Sequence, residues 1–237
     1  MNAITVIKLG GSLIVPRFSE DGGINVPFLR AFRRLILAEM KKGTTFVVVA
    51  GGGRTNRAYN LAAKSIARVQ NADLDWIGIY ATRLNAYLLG AIFQGHVYPW
   101  VIDGEPSRAR VMQMRTSRKK LFLAAGWLPG CSTDDDTVKL AEIFGAQELI
   151  KAGDVPFVYE KDPDVFPHAR AFREISWQDY KRIIPATWEP RLSTPFDPVA
   201  TRRAEKLGLT VKILDGRNLK NLKNALEKKP FEGTVIQ

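Results

Sequence analysis

Apolar residues along this chain fall into two alternating patterns. Compact apolar runs occupy Ile4–Leu9, Thr45–Val49, Val97–Val101, Lys120–Ala124, Glu148–Lys151 and Thr210–Leu214, and such short runs predict strands buried on both faces. Between them, Pro27–Lys42, Arg57–Arg68, Ile77–Gln94, Thr133–Phe144 and Pro198–Leu207 place apolar residues on one helical face. This alternation predicts the α/β class, a mainly parallel sheet with helices on both sides and hence three layers. Pro156–Pro195, rich in proline and aromatics, breaks both patterns and reads as an irregular hairpin or lid.

Size and charge narrow the picture. The 237 residues, 46% of them hydrophobic, suffice for one substantial core in one domain or two closely packed lobes. Cys131 is the one cysteine, which excludes an internal disulfide. A strand begins at Ile4 with no basic and apolar leader ahead of it, and no apolar run approaches the roughly 20 residues that span a bilayer, so a soluble cytoplasmic protein is expected. Lysine and arginine outnumber the acids 35 to 24, a net charge of +11, with one cluster at Arg108, Arg110, Arg115, Arg118, Lys119 and Lys120. Such a surface draws in phosphates of any kind. No zinc-finger spacing, recognition-helix pattern or aromatic-rich RNA-binding strand accompanies it, which argues against nucleic acid as the partner.

The candidate chemistry starts where two predicted strands end in glycine, in ITVIKLGGSL and TFVVVAGGGRTNRAY. Glycine lets bare backbone N–H groups approach an anion, and a following helix adds its positive N-terminal end. Glycine after a buried strand also makes plain turns. Two clusters, one preceded by Lys8 and the other followed by Arg57, favour two phosphoryl groups facing each other. Neither cluster is a Walker A loop, and no G-x-G-x-x-G string occurs.

Three further stretches carry polar residues in apolar surroundings. In LDWIGIYATRLNAYLL, Asp75 precedes a predicted helix whose Arg83 and Asn85 need partners. In AAGWLPGCSTDDDTVKLAE, Ser132 or Thr133 can cap a helix, but three successive carboxylates exceed what capping requires. AGDVPFVYEKDPD joins a strand end to a tyrosine and an Asp-Pro turn. The two histidines, His96 and His168, lie in no motif, which fits chemistry without an imidazole base.

In this order and spacing the strings resemble the amino acid kinase family, and within it the uridylate kinase branch in its archaeal form. IKLGGS opens the chain, VVVAGGGRTNRAY stands for V-V-x-G-G-G-x-x-x-R-x-Y, and DWIGIYATRLNAYLL stands for D-x-I-G-I-x-x-T-R-x-N-A-x-L-L. LPGCSTDDDTVKLAE, VYEKDP, TPFDPVA and FEGTVI follow, so the resemblance runs nearly end to end. D-x-I-G-I and T-R-x-N-A are the most specific strings, because branches acting on carboxylates or isopentenyl phosphate lack them.

The resemblance implies a carbamate kinase-like fold over residues 1–237, with a UMP-side lobe over about 1–147 and an ATP-side lobe over about 148–237. It implies transfer of the γ-phosphoryl group of ATP to UMP, giving UDP and ADP, with Mg²⁺ carried by the nucleotide phosphates and no protein metal site. Lys8, Gly10, Gly11 and Ser12 would cradle the ATP phosphates. Gly52 would approach UMP, Gly53 would approach ATP, and Arg57 would steady phosphate charge. Asp75 would accept from the UMP ribose, while Trp127, Leu128, Pro129, Gly130, Cys131, Ser132 and Thr133 would wrap its base and phosphate. Asp134 would orient Lys8 or Mg²⁺. Gly153, Asp154, Tyr159 and Asp162 would hold the ATP base and ribose, and Asp197 would organise the catalytic end. The branch commonly forms hexamers with UMP-side helices at a dimer contact, so a homo-oligomer, hexamer or dimer, is implied.

Two loops depart from the family pattern. GWLPGCSTD replaces G-T-x-P-G-H-T-T-D, and the bulk of Trp127 is expected to reshape the acceptor pocket. GDVPFVY replaces T-N-V-D-G-V-Y, with Pro156 and Phe157 for the D-G pair. The competing readings are therefore a kinase of this fold with another small phosphorylated or carboxylated acceptor, and a non-catalytic nucleotide-binding or storage protein.

Overall fold

The computed structural model describes residues 4–16, 23–187 and 194–237. Its strands are β1 (Ile4–Leu9), β2 (Thr45–Ala50), β3 (Leu121–Ala124), β4 (Glu148–Gly153), β5 (Val158–Tyr159), β6 (Ala171–Phe172), β7 (Glu174–Ile175), β8 (Thr210–Asp215) and β9 (Thr234–Ile236). Its helices are α1 (Gly11–Ile14), α2 (Val26–Lys41), α3 (Gly53–Ile66), α4 (Asn71–Ile92), α5 (Arg108–Thr116), α6 (Thr133–Phe144), α7 (Trp177–Ile183), α8 (Pro198–Lys206) and α9 (Leu219–Leu226). Seven strands form one sheet in the order β3-β2-β1-β4-β8-β9-β7, and β5 and β6 pair separately. The first five of that order are parallel, whereas β9 runs antiparallel to β8.

Strand pleating explains both the unbroken apolar runs and the three layers. Successive side chains point to opposite faces, so each strand feeds two cores. Val6, Val47, Phe122, Leu149 and Val211 pack on one face with residues of α6, α7 and α8. Ile7, Val48, Leu123, Ile150 and Leu214 pack on the other with residues of α2, α4 and α9. From β1 the chain builds outward through β2 and β3 on one side, and β4 and β8 extend the sheet on the other. Open α/β sheets bind ligands beyond the carboxyl ends of the strands where the order reverses, here between β1 and β4.

Several expectations need correction. Val97–Val101 is not a strand; it touches β3 only through isolated bridges at Val97–Leu121 and Ile102–Ala124. Pro99 lies between them and has no N–H to give to a ladder. Helix α3 begins at Gly53 rather than Arg57, and α4 begins at Asn71 rather than Ile77. Asp75 therefore sits inside a helix instead of preceding one. Helices α5, α7 and α9 were not expected; α5 buries only Val111 and Met114 among three arginines and other exposed residues, which hid its periodicity. Pro156–Pro195 contains the β5–β6 hairpin and α7, while its residues 188–193 lie outside the described ones. Among the described residues, no helix is long and apolar enough to cross a membrane.

Candidate active site

The two glycine turns touch each other. After β1, the Gly10 N–H donates to the Ala152 carbonyl of β4 at 2.7 Å, and after β2 the Gly51 N–H donates back to the Leu9 carbonyl at 2.9 Å. A Cβ on Gly11 would lie 2.0 Å from the Gly53 nitrogen, and one on Gly53 would lie 2.3 Å from the Gly11 oxygen. Gly53 also has φ +64°, so backbone contact and backbone conformation both demand glycine there. Gly52 and Gly53 at the start of α3 line the cleft, while the next amide, that of Arg54, donates to the Val15 carbonyl at 3.0 Å. Asn85, buried in α4, donates to the Gly51 carbonyl at 2.7 Å and so holds the second turn from behind. Arg83 finds its partner in the Asp103 carbonyl at 2.9 Å.

Strand register supplies the charged floor. Lys8 on β1 and Lys151 on β4 are paired neighbours in the parallel ladder, so both project toward the face that carries α6. There Asp134, in the first turn of α6, meets Lys151 Nζ at 2.5 Å and Lys8 Nζ at 3.5 Å. Burial works against the Asp134 charge, yet Lys151 and Lys8 together hold its pKa below the usual carboxylate value. Burial also pulls the Lys151 pKa below that of an ordinary lysine, with Asp134 opposing.

The other two acids of the triplet have separate partners. Asp135 binds Arg203 of α8 at 2.8 Å and Lys139 at 2.9 Å. Asp136 is 1% exposed, accepts from the Trp127 backbone and stands 3.9 Å from Lys139; among the described residues its Oδ1 has no hydrogen-bond partner. Burial pushes its pKa up to about 8, which favours the protonated acid. Ser132 caps α6 by accepting from the Asp134 N–H at 3.0 Å, and its hydroxyl donates to Asp197. Asp197 in turn caps α8, accepting from Val199 at 2.7 Å and Ala200 at 2.9 Å, with Pro198 preorganised at the first helical position. Its N–H donates to Asp134 at 3.3 Å, tying the start of α8 to the lysine pair.

Around this floor lies a cleft of about 520 Å³. Lys8, Gly10, Gly11, Ser12, Gly52, Gly53, Arg57, Asp75, Leu128, Cys131, Ser132, Thr133, Asp134, Gly153, Asp154 and Asp197 all line it. From the second turn of α4, Asp75 reaches across to accept the Gly130 N–H at 2.9 Å, and burial raises its pKa. Thr82, one helical face further on, accepts the Gly126 N–H at 2.9 Å and anchors the start of that loop. Burial pushes the Cys131 thiol up to about 12, so it is neutral and a poor nucleophile.

Five expected residues, Trp127, Pro129, Gly130, Tyr159 and Asp162, do not line the cleft. Trp127 turns into the core, 8% exposed, with Lys139 Nζ 5.7 Å over its ring, so its bulk fills the space beneath the loop instead of the pocket. Pro129 is half-buried between exposed Leu128 and Gly130. Tyr159 packs edge-on against Phe157 in the hairpin, with ring centroids 6.3 Å apart. Asp162 accepts the Asp164 N–H at 3.0 Å in an exposed turn. Conversely, Lys151, Asp136, Thr82, Asn56 and Asn60 line the cleft without belonging to any expected set. The signal for Lys151 was a single charge at the end of an otherwise buried strand.

A sheet of this order, with a cleft of about 520 Å³ at its reversal point and two lysines on its floor, is an α/β architecture suited to binding phosphorylated ligands. The amino acid kinase family matches residues 3–215, and the chain belongs to that family. It is 32% identical to the uridylate kinase of Thermoplasma volcanium over 240 aligned positions, covering 100% of this chain and 99% of that one. It is 31% identical to the uridylate kinase of Methanospirillum hungatei over 233 residues, 98% of this chain and 93% of the relative. The crystal structure of the Archaeoglobus fulgidus uridylate kinase superposes with a TM-score of 0.77 at 26% identity, covering 98% of this chain and 99% of that one. The fold is also that of the UMP kinase of Ureaplasma parvum, with a TM-score of 0.81 at 18% identity over 100% of this chain and 99% of that one.

Proposed function

We propose that this chain is a UMP kinase, transferring the γ-phosphoryl group of ATP to UMP. The observation that carries the reading is the lysine-flanked Asp134 at the meeting point of two glycine turns, in a cleft with room for two phosphates. Phosphoryl transfer asks little covalent work of a protein; positioning and charge stabilisation supply most of the rate. Lys8 and the amides of Gly11, Ser12 and Gly53 hold donor phosphates, Gly52 and Arg57 face the acceptor phosphate, and Asp75 takes the acceptor ribose. Gly153 and Asp154 border the donor base. Trp127, Pro129, Gly130, Tyr159 and Asp162 are assigned no nucleotide contact.

Mg²⁺ fits this site as a passenger on the phosphates. The Asp134 charge is engaged by two lysines and the Asp197 carboxylate by a hydroxyl and two amides, leaving phosphate oxygens as the main ligands. When bound, the ion offsets charge on the phosphates being separated.

The acceptor lobe over about 1–147 presents an outward stripe on α4, with Trp76, Tyr80, Leu84 and Tyr87 exposed at helical spacing. A second copy of the chain covers that stripe in a cytoplasmic homo-oligomer, which sedimentation tests. Activity is tested by coupled ADP release with ATP, Mg²⁺ and a panel of UMP, CMP, dUMP and isopentenyl phosphate. UMP is expected to turn over fastest; fastest turnover of isopentenyl phosphate, or none of any acceptor, overturns the assignment.

A further inference from the structure

Lys151 belongs to none of the motif strings, yet it lines the cleft together with the residues that do. It is the ladder partner of Lys8, lines the cleft beside Gly153, and closes on Asp134 at 2.5 Å. Its side chain is 13% exposed and that of Lys8 is 14%, so both are withdrawn from solvent but open to the same space.

A structural role as counter-ion to Asp134 does not account for this arrangement. Asp134 already has Lys8 within ion-pair distance, and one carboxylate cannot balance two ammonium groups. Asp197 is the next acid, but Ser132 and two helix amides occupy its carboxylate. An excess of positive charge in a desolvated floor is costly unless an anion arrives to meet it. The two lysines straddle the β1–β4 reversal point, where donor phosphates must pass between the first glycine turn and the β4 end.

We propose that Lys151 is a second catalytic lysine, contacting the γ-phosphoryl group and the β,γ-bridging oxygen of bound ATP opposite Lys8. This rests on the phosphotransferase reading above and deepens it. An oxygen of the acceptor phosphate forms its bond to Pγ while the bond from Pγ to the bridging oxygen breaks, its electron pair leaving with ADP. Lys151 donates hydrogen bonds throughout, keeps its protons, and offsets the charge that gathers on the leaving oxygen.

The test uses Lys151→Met and Lys151→Arg with ATP and with its γ-thio analogue, taking as acceptor whichever compound in the panel the unaltered chain phosphorylates. For Lys151→Met, kcat is expected to fall about 10²- to 10³-fold with both KM values within about threefold, the pattern of an interaction made in the transition state. The ratio of turnover on ATP to that on the thio analogue is expected to narrow, because a lost contact to a γ-oxygen no longer distinguishes oxygen from sulfur. Lys151→Arg keeps a charge on the floor and recovers part of the rate; it also supplies the measurement if the methionine variant does not fold. A folded variant with kcat within threefold of the unaltered chain, or with an unchanged ratio, overturns the proposal. An unaltered chain inactive on every acceptor sinks the kinase reading, and this role with it.

Discussion

Asp134 and Asp136 stand two residues apart on α6, 3% and 1% exposed, and their surroundings drive them to opposite charge states. At the transfer centre, Asp134 faces two lysines that outweigh the cost of its burial. On the acceptor-loop side, Asp136 faces a backbone amide and the more distant Lys139, burial wins, and its pKa rises to about 8. Equal burial thus yields a fixed ion pair in one region and a neutral hydrogen-bonding group in the other. The floor of the cleft sets one α6 carboxylate against two lysines that strand register places side by side. The acceptor loop is held by backbone amides given to Asp75, Thr82 and Asp136.

That contrast can be broken from either side. The largest effect is expected at the transfer centre, where Lys8→Ala should lower kcat about 10³-fold by removing a charge that meets the moving phosphoryl group. Calorimetric titration should still register UMP at near-normal affinity; lost UMP binding would place Lys8 on the acceptor instead. Next, Asp75→Asn should raise KM for UMP about tenfold with little change in kcat, since a charge-assisted hydrogen bond to the acceptor is weakened. A drop confined to kcat would move Asp75 out of the acceptor site.

The loop side predicts effects on stability. Trp127→Thr restores the family's residue but empties core volume, and about 3 kcal/mol of unfolding free energy should be lost in denaturant titration. Its KM for UMP should stay within about threefold of the unaltered chain. A large KM change would return Trp127 to the pocket wall.

The smallest and most specific prediction concerns pH. An unfolded aspartate ionises near ~3.9, whereas folded Asp136 holds its proton to about 8. Below the first value both states are protonated and nothing is gained or lost. Between the two values the unfolded chain sheds a proton that the fold retains, so the native chain loses stability as pH rises, and above about 8 the loss levels off. Asp136→Asn, neutral at every pH, should therefore gain melting temperature over the unaltered chain progressively from pH 4 to pH 8. A gap that does not change with pH would mean that Asp136 is ionised in the fold.

Much of this was readable in the chain, for a physical reason. Short unbroken apolar runs give parallel strands and glycine at strand ends marks backbone approach, which brought Lys8, the two strand-end glycine clusters and Arg57 together, while the family resemblance added Asp75, Asp134 and Asp197; all of them line one cleft. What was not readable depends on long-range register and side-chain direction. Lys151 has meaning only because β4 pairs with β1 at Lys8, across more than half the chain. Trp127 leaves a strand at a point where either face was open to it, and the core beside Val138 and Phe144 took it. Helix α4 starts six residues earlier than expected because no glycine or proline interrupts Asn71–Trp76.

The contact between Gly11 and Gly53 acts as a gauge block. Backbone meets backbone there, with no side chain to compress, rotate or exchange, so the separation of the two turns is set by atomic radii. Under the proposed function, phosphates lodged on the two turns would take their spacing from that contact and not from any side chain.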